Sequence, residues 1–188
     1  MKLADKVAVV TASGRNIGRA IVLAMAREGA RVVVNARTNR QEAEAVAREA
    51  RDLGAEALAI LADVSDPAQV NRMFDQVLAQ WGRVDILVSN AAIRPHKPFL
   101  ELTVEDWRSV MAVDLEGAFF CTQPAIRSMI ANRWGRVILM SADGAFNGAP
   151  LRANIAASKM ALVGLARSLA TEFAPYNITV NVISPSKI

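Results

Sequence analysis

The fold is decided by one stretch near the N-terminus, VAVVTASGRNIG at residues 7–18. Its first four residues are apolar and mostly β-branched, which is typical of a short strand buried on both faces of a parallel sheet. Small residues follow directly and lead into a helical pattern near Gly18. Such a turn lets backbone N–H groups and the start of the helix face a pyrophosphate. The stretch therefore predicts a phosphate-binding strand–turn–helix unit, although an ordinary strand-to-helix turn has the same outline.

Strand-like and helix-like segments alternate along the rest of the chain. β-branched runs occupy residues 7–10, 31–34, 57–60, 84–88, 136–140 and 178–182. Helical patterns fill the intervals, at residues 18–28, 40–53, 67–81, 104–132 and 155–173, with candidate helix caps at Gly29, Gly54, Gly82 and Gly135. This alternation predicts an α/β fold with a doubly wound parallel sheet of six strands, with helices on both faces, in a single domain spanning residues 1–188.

Composition excludes several classes of protein. Basic residues exceed acidic ones by four, but they are scattered, which argues against nucleic-acid binding and suits a small anionic ligand. No apolar stretch approaches the about 18 residues that a membrane span needs, and the N-terminus lacks a signal-peptide pattern, so we expect a cytoplasmic protein. Cys121 is the only cysteine, so the sequence predicts neither a disulfide framework nor a metal site.

Two long helical segments predict self-association. The segment 155–173 is apolar almost all round, and a helix of that kind is usually covered on two sides. One side would pack on the sheet and the other on the same helix of a second subunit. The segment 104–132 carries Trp107, Met111, Phe119 and Phe120 and is expected to share that role. We therefore expect a homodimer or homotetramer.

Residues that follow the strands predict the ligand. An open parallel sheet binds ligands beyond the carboxyl ends of its strands. After the second strand, Ala36 and Arg37 stand where an acidic residue would bind both ribose hydroxyls of NAD. Arg37 and Arg15 instead favour a 2′-phosphate, which predicts NADP over NAD unless the two arginines are merely solvated. Asp63 follows the third strand, and its carboxylate could accept from an adenine amine.

Six motifs together resemble those of the short-chain dehydrogenase/reductase family, and within it the 3-oxoacyl-(acyl-carrier-protein) reductases and similar carbonyl reductases. They are TASGRNIG at 11–18, ADVSD at 62–66, SNAA at 89–92, VDLEGAF at 113–119, SK at 158–159 and NVISPS at 181–186. The resemblance implies a Rossmann sheet, a nicotinamide cofactor, and hydride transfer to or from a small-molecule carbonyl or alcohol. The cofactor-binding positions are then Thr11, Ser13, Arg15, Asn16, Ile17, Gly18, Arg37, Asp63, Val64, Asn90, Ala91, Lys159 and Pro185.

The chain departs from the family pattern in its glycine-rich turn. Of the three family glycines, the first is Ala12 and the second Asn16, so that only Gly18 remains. Asn tolerates a left-handed backbone, so Asn16 is a mild change. Ala12 adds a methyl group beside the expected path of the phosphates. The asparagine-rich turn after the fourth strand is also altered at its two ends, Ser89 and Ala92.

The implied catalytic set is altered more severely. In the family a tyrosine donates a proton to the carbonyl oxygen, a lysine four residues later lowers its pKa and holds the nicotinamide ribose, and a serine steadies the substrate oxygen. Lys159 matches the lysine, but the tyrosine position is Ile155. The serine position is Ala142, with Ser141 beside it, and the family's asparagine is Asp114. A lysine extending from an apolar helix into solvent is the alternative explanation of Lys159.

Three functional hypotheses follow from these replacements. The first is a reductase whose acid has moved, for which the candidates are His96, just beyond the fourth strand, with help from Asp143 or Ser141. The second is a catalytically impaired nucleotide-binding protein that acts as a partner subunit or redox sensor. The third is an interaction module that binds no nucleotide. Family members usually continue to a seventh strand, which the resemblance implies is missing here together with the substrate-covering loop.

Overall fold

A computed structural model describes residues 1–186, and the strands among these residues form one parallel sheet. Six strands pair in the order β3-β2-β1-β4-β5-β6, so the strand order reverses between β1 and β4. This confirms the prediction of a doubly wound Rossmann sheet. The strands are β1 (Val7–Val10), β2 (Arg31–Ala36), β3 (Ala57–Leu61), β4 (Ile86–Ser89), β5 (Gly135–Met140) and β6 (Ile178–Ile183).

Helices cover both faces of the sheet. They are α1 (Asn16–Arg27), α2 (Arg40–Asp52), α3 (Pro67–Trp81), α4 (Val104–Met111), α5 (Gly117–Asn132), α6 (Gly144–Asn147) and α7 (Ala153–Phe173). Alternate residues of β1 pack in opposite layers: Ala8 and Val10 pack with α1 and α2, while Val7 and Val9 pack with α3, α5 and α7. Because both faces are buried, β1 is apolar at every position.

The long helix predicted over 104–132 is interrupted in its middle. A π turn at Ala112–Glu116 separates α4 from α5. Gly117 follows this turn, where a Cβ would lie 2.8 Å from Val64 Cγ2. A π turn inserts one residue beyond the usual helical repeat and changes which side chain faces inward. Here it leaves Asp114 buried at the carboxyl ends of the strands.

Three of the four predicted glycine caps are confirmed. Gly29, Gly54 and Gly82 adopt φ values of 91°, 88° and 72° just after their helices. The prediction for Gly135 is wrong, because that residue begins β5 and the left-handed residue after α5 is Arg133 (φ 49°). Gly135 is instead needed for packing, since a Cβ there would lie 2.7 Å from the Cβ of the buried Met129.

The outer face of α7 is open in the single chain. Met160 is exposed, while Leu165, Leu169 and Phe173 are half-buried. These last three border a groove of 290 Å³ between α5 and α7. The structure holds one chain, so coverage of this groove by a second subunit stays a prediction. Within residues 1–186, no helix has the length and apolar character to cross a membrane.

The tight packing of Gly135 predicts a cost for one added methyl group. Gly135→Ala should lower the free energy of unfolding by about 1–3 kcal/mol, because overpacking forces neighbouring atoms to move. Gly164→Ala is the matched control, since Gly164 lies in α7 with open space around its Cβ position and alanine favours helix. Urea denaturation measures both. Equal stability of the Gly135→Ala variant and the wild type would contradict this explanation of the glycine.

Candidate functional site

The candidate site begins where β1 and β4 diverge. Thr11 Oγ1 accepts hydrogen bonds from the backbone N–H groups of Asn90 and Ala91, both at 2.9 Å. Asn90 Nδ2 in return donates to the carbonyls of Thr11 and Ala12, at 3.0 and 3.1 Å. These bonds fix the turn after β1 against the segment after β4. They hold open the point of strand reversal, where α/β sheets bind ligands.

The turn after β1 keeps a tight shape without two of the expected glycines. Ala12 and Asn16 adopt φ values of 49° and 48°, so both positions are left-handed. Alanine pays about 1–2 kcal/mol for that conformation, whereas asparagine tolerates it better. Gly18 is required for close approach, because a Cβ would lie 2.7 Å from Ser13 Cα and 2.8 Å from Asn90 Nδ2.

Asn35, a residue that the sequence did not single out as functional, supports this turn from β2. Its Oδ1 accepts from the Ala12 N–H at 3.0 Å, and its Nδ2 donates to the Ala62 carbonyl at 3.1 Å. Ser13 Oγ accepts from the Asn35 N–H at 3.0 Å and donates to the Val10 carbonyl at 2.6 Å. The hydroxyls of Ser13 and Thr11 are therefore used inside the fold, where they shape the turn.

An open cleft of 390 Å³ lies along the carboxyl ends of β1, β2, β3 and β4. The exposed guanidiniums of Arg15 and Arg37 lie on one side, together with the Glu42 carboxylate. Asp63 and Val64 contribute the part beyond β3, where Asp63 Oδ1 accepts from Ser65 N–H at 2.9 Å. Further lining residues, which are not among the predicted cofactor-binding positions, are Thr38, Asn39, Ala92, Ile93 and Val113.

A buried ion pair lies beside the other end of this cleft. Lys159 Nζ is 3.3 Å from Asp114 Oδ2, and these side chains are 4% and 0% exposed. Asp114 Oδ1 accepts from the Ile93 N–H at 2.9 Å, while Oδ2 has no hydrogen-bond partner among the described residues. Burial is the largest effect on both groups. It raises the pKa of Asp114 and lowers the pKa of Lys159. Lys159 itself is not among the residues that line the cleft.

Comparison with known proteins places these features in a family. The family model of short chain dehydrogenases matches residues 6–188. The chain belongs to this oxidoreductase family. It is 38% identical to the 3-oxoacyl-(acyl-carrier-protein) reductase of Aquifex aeolicus and to that of Staphylococcus aureus (strain Mu50 / ATCC 700699), and covers 76% and 74% of their lengths. These alignments use 100% and 97% of the present chain.

Solved structures agree with this membership of the short-chain dehydrogenase family. A protein from Sinorhizobium meliloti that is assigned to the short-chain alcohol dehydrogenases superposes with a TM-score of 0.95 at 33% identity. That match covers 100% of this chain and 74% of the other. An NAD⁺-bound xylitol dehydrogenase gives a TM-score of 0.94 at 32% identity, covering 99% and 72% of the two chains.

The positions that the family resemblance marks as catalytic are brought together only in part. Ile155 is buried one helical turn before Lys159, and Ser141 Oγ donates to the Lys159 carbonyl at 2.9 Å. His96 is exposed in the segment after β4 and does not line the cleft. The carbonyl of Pro185 accepts from the Asp143 N–H at 3.2 Å, away from the cleft lining.

The buried pair predicts a stability that depends on pH. Lys159→Met removes the cation and leaves a buried carboxylate, which costs about 3–5 kcal/mol. The pKa of Asp114, already raised by burial, rises further without Lys159. A carboxyl with a raised folded-state pKa binds more protons folded than unfolded, so stability falls as the pH rises between the two pKa values. Urea denaturation should show a larger loss of stability in this variant at pH 8 than at pH 5.

The control for this prediction is Lys97→Met, because Lys97 pairs with Asp106, which is only half-buried. The hydrogen bond from Lys97, together with those from Thr103, lowers the pKa of Asp106 to about 2. A lowered carboxyl pKa stabilises the folded state, and this stability is lost only as the pH falls below the pKa of an ordinary carboxyl group. The stability lost in Lys97→Met should therefore be the same at pH 5 and pH 8. An equal loss at the two pH values in Lys159→Met would contradict the assignment of Lys159 as the group that keeps Asp114 ionised.

Proposed function

We propose that this chain is an NADP(H)-dependent oxidoreductase that interconverts a small-molecule carbonyl and its alcohol. The observation that carries the proposal is the open cleft beyond the strand ends, with two free guanidiniums at one end and a buried lysine beside the other. The relatives named reductase or dehydrogenase support the class of reaction.

The choice of NADP rests on the charges beside β2. Ala36 occupies the end of the strand, where a carboxylate would favour NAD. Arg15 and Arg37 supply two positive charges against the single carboxylate of Glu42 on the same side of the cleft. A guanidinium binds a phosphate through paired, charge-assisted hydrogen bonds. The 2′-phosphate of the adenosine ribose would lie between these arginines.

The rest of the cofactor fits the same cleft. The pyrophosphate would lie against the turn formed by Ser13 to Ile17, at the N-terminus of α1, with Asn16 exposed there. The adenine would reach Asp63 and Val64, and the other end would pass Ala91 towards Lys159. When bound, the nicotinamide supplies or accepts the hydride. Lys159 would hold the nicotinamide ribose once its ammonium turns towards the cleft.

A group other than the residue at position 155 must transfer the proton to or from the substrate oxygen. Ile155 is a hydrocarbon and can neither give nor take a proton. Ser141 already donates its hydrogen bond to the Lys159 carbonyl. The groups left near this end of the cleft are Lys159, Asp114 and, on the exposed segment after β4, His96. We propose these as the candidates that would move a proton to the substrate oxygen.

A second candidate function is nucleotide binding without catalysis, as a partner subunit or sensor. It is favoured by the buried Ile155 and by the Lys159 ammonium, which lies against Asp114 and outside the cleft lining. We propose for both functions a homodimer or homotetramer through residues 104–132 and 155–173. The groove between α5 and α7, bordered by half-buried Leu165 and Leu169, supports that assembly.

Nucleotide titration tests the cofactor. The fluorescence of the reduced nicotinamide should show tighter binding of NADPH than of NADH. Arg37→Ala and Arg15→Ala should each weaken NADPH binding by about 10- to 100-fold, because a hydrogen bond to a charged group is worth about 1.5–3 kcal/mol, while NADH binding changes little. Arg27→Ala, at the exposed end of α1, is the control. Equal affinities for NADPH and NADH in the wild type would exclude the proposed role of the arginines.

Restoring the missing side chains separates the two functions. The double substitution Ile155→Tyr with Ala142→Ser should create NADPH-dependent carbonyl reduction if the chain binds the nucleotide but lacks the acid. If wild type already turns over, His96→Ala is the second measurement, and a loss of that turnover would assign the acid to His96. The single substitution Ala142→Ser is the control, since it adds no acid. No turnover in any of these proteins would reject the reductase proposal.

A further inference from the structure

The Asp114–Lys159 pair is sealed inside the protein at the candidate catalytic end of the cleft. Its two charged groups are nearly inaccessible, and their closest atoms are 3.3 Å apart. Asp114 is held by the π turn of its own backbone and by the Ile93 N–H, and Lys159 extends from α7 to meet it. The backbones of two helical elements thus place the charged groups side by side. The interaction between them is built into the fold.

The pair contributes no net charge to its surroundings. Burial raises the pKa of the carboxyl and lowers the pKa of the amine. Whichever of the two groups holds the proton, the sum of their charges is zero. Arg94 is another cation that lowers the pKa of both groups, but it is exposed to solvent and therefore screened.

The pair lies next to the path that a dinucleotide would follow. Ile93 and Val113 line the cleft, Ile93 donates its N–H to Asp114, and Val113 precedes Asp114 in the π turn. A cofactor that extends past these residues brings its nicotinamide ring close to the pair. The closeness of the ring to the pair rests on the proposed function, because the nucleotide must bind in the cleft with its adenosine end at the arginines.

We propose that Asp114 is a positioning residue that cancels the charge of Lys159, so that the site accepts the positively charged oxidised nicotinamide better than a site with an unpaired ammonium would. The oxidised ring carries a positive charge and the reduced ring carries none. An uncompensated ammonium repels only the oxidised form. A pair without net charge neither attracts nor repels either form. Asp114 thus sets the affinity for NADP⁺ relative to the affinity for NADPH.

The test is the ratio of the dissociation constants for NADP⁺ and NADPH, measured at pH 6.5 by calorimetry. Asp114→Asn keeps the acceptor for the Ile93 N–H and leaves the Lys159 ammonium unpaired. The ratio should rise by about tenfold, because the uncompensated unit charge acts on the oxidised ring alone in a partly desolvated site. The double variant Asp114→Asn with Lys159→Met carries no charge at either position, so it should return the ratio to the wild-type value.

Two further measurements separate charge from folding. Adenosine 2′,5′-bisphosphate has no nicotinamide and should bind all variants that fold with equal affinity. Should Asp114→Asn fail to fold, Lys159→Met at pH 8 leaves the carboxylate alone, and its ratio should fall below the wild-type value. Circular dichroism identifies which variants are folded.

Each outcome decides between the proposals. A ratio that rises in Asp114→Asn and returns in the double variant supports the role of Asp114. An unchanged ratio in Asp114→Asn, or a double variant that behaves like the single one, overturns the inference and leaves NADP(H) binding intact. A wild-type protein that binds neither NADPH nor adenosine 2′,5′-bisphosphate overturns the proposed function, and the inference with it.

Discussion

The close approach of helix α1 to the end of β1 is the constraint on which the site depends. Gly18 has no side chain, and the space that a Cβ would fill is taken by Ser13 and by the Asn90 amide. The same amide bonds the turn after β1, and Thr11 bonds the segment after β4. This contact sets where the helix N-terminus points, and the cleft walls follow from it. Glycines elsewhere in the turn are dispensable by comparison, because Ala12 and Asn16 still adopt left-handed conformations.

Local signals were enough to predict most of the fold. Helix α3 was predicted with both ends correct, because Asp66 caps its start through bonds to Ala68 and Gln69 and Gly82 ends it in a left-handed conformation. The π turn was not predicted, since no glycine or proline interrupts the helical pattern within residues 112–116. Gly135 was misassigned because a glycine is needed there for contact with Met129 and not to end a helix. The sequence alone does not distinguish these two roles of a glycine.

The candidate site was predicted less completely, for a related reason. Arg15, Arg37, Asp63 and Val64 lie in the segments that follow the first three strands, so the sheet topology brings them to one cleft. Asn35 was missed because its partners, Ala12 and Ala62, lie on two other segments of the chain. Asp114 and Lys159 were both named as site residues, but their ion pair depends on the orientation of the π turn and is invisible to spacing arguments.

The π turn at residues 112–116 also ties the geometry of this end of the molecule to a single backbone residue. A π turn holds one residue beyond the α-helical repeat, so loss of one residue from this segment would restore regular helix between α4 and α5. The backbone conformation that buries the Asp114 carboxylate beside Lys159 would then be lost. Chain length is therefore a sensitive variable in this segment, because a deletion alters the helix even where every remaining side chain is kept.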